Sequence, residues 1–180
     1  MSNSILEKVN KSVNKLTPGA VEFSYSFTRP SNTTAYAAED VVNNSTSAPS
    51  IITFSTVGGE NTEGGKQYYV KSLRVATNNA TVTFGSFRLY LTTNTQTAIN
   101  DNSQQTLLYT NKANVVGYID FSLSTGGTGS DSAEAYVTGI DIPVTLTNNV
   151  LYGYLVAKAA YVPASDQQFY LKLTLQTYSS

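Results

Sequence analysis

Apolar residues recur along this chain with two different periods, and the change comes at Pro18. Before it, Leu6, Val9, Val13 and Leu16 are separated by three, four and three positions, the spacing of an a/d helical seam. Ile5 adds a fifth apolar side chain to the segment. Ser4 stands where an N-cap would, Glu7 follows three residues later as in a capping box, and Pro18-Gly19 ends the pattern. The pattern predicts a short α-helix over residues 4–16. A helix of this length is marginal alone in water. Burying each of its apolar side chains is worth at most roughly 1.5–3 kcal/mol, so the stripe needs a partner surface. That surface is either the rest of its own chain or another protein, copies of itself included. Residues 1–19 are therefore read as a helical anchor or self-association segment, and 20–180 as a single β-domain.

From Ala20 the period becomes two. Val21, Phe23, Tyr25 and Phe27 alternate with Glu22, Ser24 and Ser26. Further strands are predicted at Ile51–Ser55, Gln67–Ala76, Thr81–Thr92, Thr106–Thr110, Val115–Ser124, Ala135–Leu146, Val150–Ala159 and Phe169–Tyr178. Within Thr81–Thr92, Val82 and Phe84 are at even positions and Phe87, Leu89 and Leu91 at odd ones, so a β-bulge is predicted at Gly85-Ser86. Clusters of Gly, Asn and Ser separate the strands. Eight or nine antiparallel strands without helical patterns between them predict an all-β fold, an antiparallel β-sandwich, most simply a jelly roll. An immunoglobulin-like sandwich is the alternative, although its Cys…Trp…Cys signature is missing.

Two of these strands are apolar on both faces. Val150, Tyr152, Tyr154 and Val156 lie on one side of their strand, and Leu151 and Leu155 on the other with Gly153 and Ala157. Val115–Leu123 is similar, with Tyr118 opposite Ile119 and Phe121. A sandwich strand has one core face, so the second needs a flanking loop or a subunit interface. The interface reading agrees with the helical seam. It makes Tyr152 and Tyr154, with Ile5, Leu6, Val9, Val13 and Leu16, the expected oligomer contacts.

Composition then narrows the chemistry. Charged residues are 13% and the formal net charge is −1. The basic residues are scattered, so neither nucleic acid nor a membrane surface is an expected partner. Cysteine and histidine are absent, which removes disulfides, thiolate chemistry, the commonest general base and the commonest transition-metal ligand. No apolar run approaches ~18 residues, so no membrane-spanning helix is expected. The N-terminus has no apolar signal-peptide core, and the sequons at Asn32, Asn44 and Asn79 read as accidents of composition.

Gly58–Lys66 invites a phosphate-loop reading, which fails because Glu60 stands where glycine is needed and Gln67 where a hydroxyl is needed. Glu60 and Glu63 on that glycine-flanked loop lack the rigidity that paired catalytic carboxylates require. Asp131 and Glu134 offer hard oxygen ligands but match no calcium-loop spacing. No catalytic, cofactor-binding or metal residue is assigned, and a non-enzymatic protein is expected. The 13 tyrosines read mainly as sheet-face and interface residues.

One stretch resembles a known class. Phe27–Val42 reads FTRPSNTTAYAAEDVV. It is similar to a segment near the start of many small tailed-bacteriophage structural proteins: aromatic-Thr-Arg-Pro, then Thr-Thr-Ala-Tyr-Ala-Ala, then Asp-Val-Val. The resemblance covers about 16 of the 180 residues. It implies a virion component assembled in the bacterial host cytoplasm: a capsid auxiliary or decoration protein, or a head-fibre protein. It further implies a trimer, with the major capsid protein or another virion protein as partner. In the resembling proteins a glycine often precedes the aspartate, where this chain has Glu39. If that position needs a positive φ, Glu39 sits there at a cost of about 1 kcal/mol. Pro30 ends the first strand and forces Arg29 to be extended. Thr33–Ala38 is expected as a short strand turning near Asp40, so that Arg29 and Asp40 pair across a structural corner. Ser, Thr and Asn fill 60 of the 180 positions, which suits a protease-resistant particle surface and occurs in adhesins too. A carbohydrate- or receptor-binding module of a phage tail or fibre is the alternative.

Overall fold

The structure, a computed structural model, describes residues 19–57, 67–79, 85–106, 109–125, 131–146 and 149–177. The helix expected over 4–16 and the loop Gly58–Lys66 lie outside the described residues, as do residues 80–84 at the head of the strand predicted from Thr81. The strands are β1 (Ala20–Thr28), β2 (Asp40–Val42), β3 (Ile52–Thr56), β4 (Gln67–Thr77), β5 (Ser86–Thr92) and β6 (Ser103–Gln104). They continue with β7 (Val115–Ser122), β8 (Ser124–Thr125), β9 (Ala133–Thr145), β10 (Leu151–Ala157) and β11 (Gln168–Thr177).

Every pairing is antiparallel. The first sheet runs β1–β11–β4–β9, with β8 on the edge of β9. The second places β10 between β5 on one side and β2 and β3 on the other, with β7 beyond β5 and β6 beyond β2. Strand β3 joins the two. Its Ile52–Phe54 pair with β10, and its Ser55 and Thr56 pair with Ser24 and Phe23 of β1. Early and late strands thus alternate across both sheets, which is the ordering of a jelly-roll sandwich.

Period-two alternation fills the space between the sheets. Phe23, Leu73, Val75, Leu171, Leu173 and Leu175 come from the first sheet, and Phe54, Phe87, Leu89, Leu91, Leu151 and Leu155 from the second, all fully buried. Aromatic rings tie the layers. Phe87 of the second sheet meets Phe169 of the first edge-on at 6.0 Å, and Phe169 is in turn stacked at 5.4 Å on its strand neighbour Phe27, both favourable geometries.

Several expectations are corrected. Tyr109–Asn114, partly expected as strand, is a 3₁₀ helix with no buried residue, because Asn111, Lys112 and Asn114 leave it no apolar alternation. Thr33–Ala38 forms only a single bridge, Tyr36 to Tyr161, because Asn32 Oδ1 turns the chain by accepting from Thr34 N at 3.1 Å. The pairing of β5 shifts register at Leu91/Thr92, while the bulge expected at Gly85-Ser86 adjoins residues 80–84, which lie outside the described residues. The strand predicted over Val115–Ser124 breaks at Leu123, whose side chain is buried and whose amide donates to Gly85 O at 3.0 Å. Strands β2 and β6, at three and two residues, are too short to show a period.

Gly153 in β10 allows the close approach of β5. A Cβ there would stand 2.8 Å from Tyr90 O, a backbone atom that has no rotamer in which to escape. Gly153→Ala is therefore expected to destabilise the protein by about 1–3 kcal/mol, typical of overpacking, read as a lowered urea midpoint with an unchanged slope.

Candidate functional site

The stretch Phe27–Val42 is built around a buried charge. Strand β1 ends at Thr28 because Pro30 has no amide to continue the ladder. Arg29 N makes the last bond of this run, to Gln167 O at 2.9 Å. Its side chain then turns into the protein and is fully buried. Nη2 donates to Asp101 Oδ2 at 3.0 Å, Nη1 donates to Ala164 O at 3.1 Å, and Nε donates to the Tyr36 hydroxyl. That hydroxyl in turn donates to Asp101 Oδ1, which also accepts from Asn43 N at 2.8 Å. The Tyr36 ring stacks on Tyr161 at 4.8 Å, with the Arg29 guanidinium 4.8 Å from its centroid. Burial disfavours the Arg29 charge, but Tyr36 and Asp101 outweigh it and hold its pKa above the usual value. Burial, with Tyr161 and Asp101, pushes the Tyr36 phenol up. The group is a closed, hydrogen-bonded clamp around the guanidinium.

Arg29 thus pairs with Asp101, 72 residues away, and not with Asp40. Asp40 closes the local turn: its Oδ2 accepts from Ala37 N at 2.7 Å, and the Asn102 amide donates to the same oxygen at 3.0 Å. Pro30 O accepts from Asn32 N at 2.7 Å. Glu39, between the turn and β2, has φ of 70°, the left-handed region that favours glycine. Its amide donates to Ala157 O at 2.7 Å, which holds the strained residue against β10.

The second apolar face of β10 is covered by the chain's own loop. Tyr154 and Val156 are buried with Val41 in a small outer cluster, against Ile51, Tyr90 and Ile99. The Tyr154 hydroxyl donates to Thr97 O at 2.9 Å, and burial pushes its pKa up to about 12. Tyr154, expected at a subunit contact, is therefore occupied within its own chain. The reason is that residues 93–105 fold back across the strand. Tyr152 is half-buried. A cavity of about 410 Å³ lies between this loop and Tyr154, lined by Ile99, Asn100, Ser103, Gln104 and Asn111 among others.

Beyond the loop the same sheet face is open. Tyr118 is 52% exposed and carries the Arg88 guanidinium 3.9 Å from its ring centroid. Arg88 also donates twice to Asp120, at 2.7 and 2.9 Å, and Lys158 donates to Asp120 Oδ2 at 2.7 Å. The hydrogen bonds from Arg88, and less so that from Lys158, hold the Asp120 carboxyl down at about 2 against a smaller effect of burial.

Asp131 and Glu134 do not converge. Asp131 borders a cavity with Thr77 and Tyr170, whereas Glu134 pairs with Arg74 at 3.4 Å. Among the described residues no group of three or more acidic, histidine or cysteine side chains is placed to hold a metal ion. Glu60 and Glu63 lie outside those residues, as do Ile5, Leu6, Val9, Val13 and Leu16. The residue that sequence reasoning missed is Asp101. It sits in the turn cluster Asn100–Ser103 with nothing nearby in sequence to mark it as a charge partner.

No protein-family model and no curated protein sequence matches the chain. Solved structures to which its backbone is similar include one of Desmodium yellow mottle tymovirus, at 13% identity and a TM-score of 0.29, covering 89% of this chain and 87% of that one. Another is PRD1 vertex protein P5, at 15% identity and a TM-score of 0.27, covering 88% and 95%. A third is of turnip yellow mosaic virus, at 11% identity and a TM-score of 0.23, covering 91% and 82%.

Three outcomes are expected from this geometry. Asp101→Asn strands the buried Arg29 charge and should cost about 3–5 kcal/mol in chemical denaturation. Glu39→Gly relieves the left-handed strain and should raise stability by up to about 1 kcal/mol. For Asp120 the pKa is lowered on folding, so its contribution is present above the ordinary 3.8 and is lost as pH falls through about 2. The stability difference between wild type and Asp120→Asn should therefore be constant near neutrality and vanish across that acid window.

Proposed function

We propose that this chain is a non-enzymatic structural component of a bacteriophage virion: a capsid auxiliary or decoration protein, or a head-fibre protein. It attaches or self-associates through residues 4–16, with a trimer as the expected state and the major capsid protein or another virion protein as partner. One observation carries the reading. The residues of Phe27–Val42 that resemble phage structural proteins occupy the positions with the strictest demands in the fold. Arg29 and Tyr36 form the buried clamp, Val41 and Val42 are buried at 1% exposure each, and Glu39 adopts φ of 70° where the resembling proteins often carry glycine. A chance match of 16 residues has no reason to coincide with a charge burial, a core strand and a left-handed turn.

The sequence supports an assembling rather than a catalytic protein in a second way. The seam Leu6, Val9, Val13 and Leu16 is too short to stand alone, and its apolar face has to be buried on something. The alternative, a carbohydrate- or receptor-binding module of a tail or fibre, draws on exposed tyrosines such as Tyr136, at 70% exposure. A glycan array in which specific binding is lost on Tyr136→Ala or Tyr118→Ala would favour it.

The double variant Val9→Asp/Val13→Asp tests the main reading. Light scattering behind a sizing column should show the wild type as an oligomer and the variant as a monomer with an unchanged β-type circular dichroism spectrum. If the wild type is monomeric, co-sedimentation with phage heads should show attachment that the variant loses. A variant that keeps both the mass and the attachment of the wild type would sink the proposal.

A further inference from the structure

The reading above leaves open what the apolar seam packs against, and one end of the sandwich has a groove for it. Ala20 pairs with Gln176, Gln176 with Tyr69, and Tyr69 with Pro143. These residues form one row across the first sheet, at the end where β1 begins. At that same end is a cavity of about 550 Å³, with Tyr68 and Val144 among its lining, Val116, Tyr69 and Pro143 beside them, and Thr93, Asn94 and Thr145 at its edge. Tyr68 and Val144 are core residues at 2% and 3% exposure, so the groove opens directly onto the hydrophobic core.

The stretches of chain bordering this end differ in what they can put into it. Gly58–Lys66 and Thr147-Asn148 contain no apolar side chain. Leu107 and Leu108 follow Thr106, which lines the other cavity beside Tyr154. Residues 5–16 carry five apolar side chains and join the domain at Gly19, in this same row of residues. As a helix the seam from Leu6 to Leu16 is about 15 Å long, enough to lie across a sandwich end whose sheets are ~10 Å apart.

The connection argues for a groove on another copy. Gly19 is still held in the β1–β11 ladder: its carbonyl accepts from Thr177 N at 3.1 Å, and its amide donates to Thr177 Oγ1 at 3.1 Å. Only Thr17 and Pro18 separate this anchored residue from Leu16. Proline fixes its own φ and pushes the residue before it to extended conformations. Both preferences favour a chain that runs onward from Gly19 over one that doubles back beside it. Folding back into the neighbouring groove would make Thr17 and Pro18 the two central residues of a β-turn, and a trans proline is disfavoured at the second of them.

We infer that the groove lined by Tyr68, Val116, Pro143 and Val144 is the seat of the Leu6–Leu16 seam of a neighbouring copy of this chain. The inference rests on the proposed self-association through residues 4–16 and names the surface that receives them. Seam and groove are different surfaces, so each copy both gives and receives a segment; in the expected trimer, three equivalent exchanges close the ring.

The chain has no cysteine, which makes cross-linking clean. Three double variants would pair Thr145→Cys with Val9→Cys, Val13→Cys or Leu16→Cys and be oxidised as full-length protein. At least one should give covalent dimers and trimers on a non-reducing gel. An intrachain link that leaves the monomer mass, or no link in any of the three, would overturn the inference. Thr145→Arg, at an exposed rim position, should weaken assembly about tenfold or more with the melting curve of the β-body unchanged. The Val9→Asp/Val13→Asp variant separates the two ideas. If that variant is monomeric but no cross-link forms, self-association through the seam stands and the groove assignment falls. If the variant assembles like wild type, the proposed function itself falls.

Discussion

The fold depends on a buried charge that has no route to water. Arg29 carries a guanidinium into the interior immediately after β1, and an unpaired charge there would cost several kcal/mol. Asp101 answers it, and in doing so decides where the loop before β6 must lie. Tyr36 closes the triangle, which fixes the path of the chain between β1 and β2. The bond from Asn43 N to the same carboxylate ties down the residue after β2. One ion pair with its hydrogen bonds thus positions three segments that are distant in sequence. The neighbouring Glu39, at φ of 70°, is held where that arrangement leaves it.

The same loop has a second consequence. In crossing to Asp101 it covers the outer face of β10 and seals Tyr154 and Val156 from water. The sheet consequently has two kinds of outer surface. Over β10 it is a packed secondary core. Over β5 and β7 it is an open aromatic and charged face, where Tyr118 supports Arg88 and Asp120 gathers both Arg88 and Lys158. Partly exposed pairs of this kind contribute little to stability individually, and they leave the face polar enough to remain in solvent.

Much of the architecture was legible along the chain. The alternation in Val21–Phe27 and Phe169–Leu175 marked the pairing strands β1 and β11, and the missing helical periods between strands pointed to a sandwich. The resemblance marked Glu39 as strained on the condition that its position needs a positive φ, and its φ is 70°. Tyr109–Asn114 was not legible as a 3₁₀ helix, since six residues carry too little pattern. The double-faced apolar strand at Val150–Ala159 correctly announced that something must cover it, but not what.

What the sequence determined by itself is whatever depends on near neighbours: the strand periods, the stop at Pro30 and an apolar seam that demands a partner. Tertiary structure decided the partnerships. Asp40 stands closer to Arg29 along the chain and has the same carboxylate as Asp101, and no local rule separates them. Asp40 is kept by its own turn, where the Ala37 backbone amide and the Asn102 side-chain amide donate to it. Asp101 is brought to Arg29 by the loop that returns over β10. The choice rests on which carboxylate the folded chain leaves buried and short of a cation, and that is a property of the whole packing.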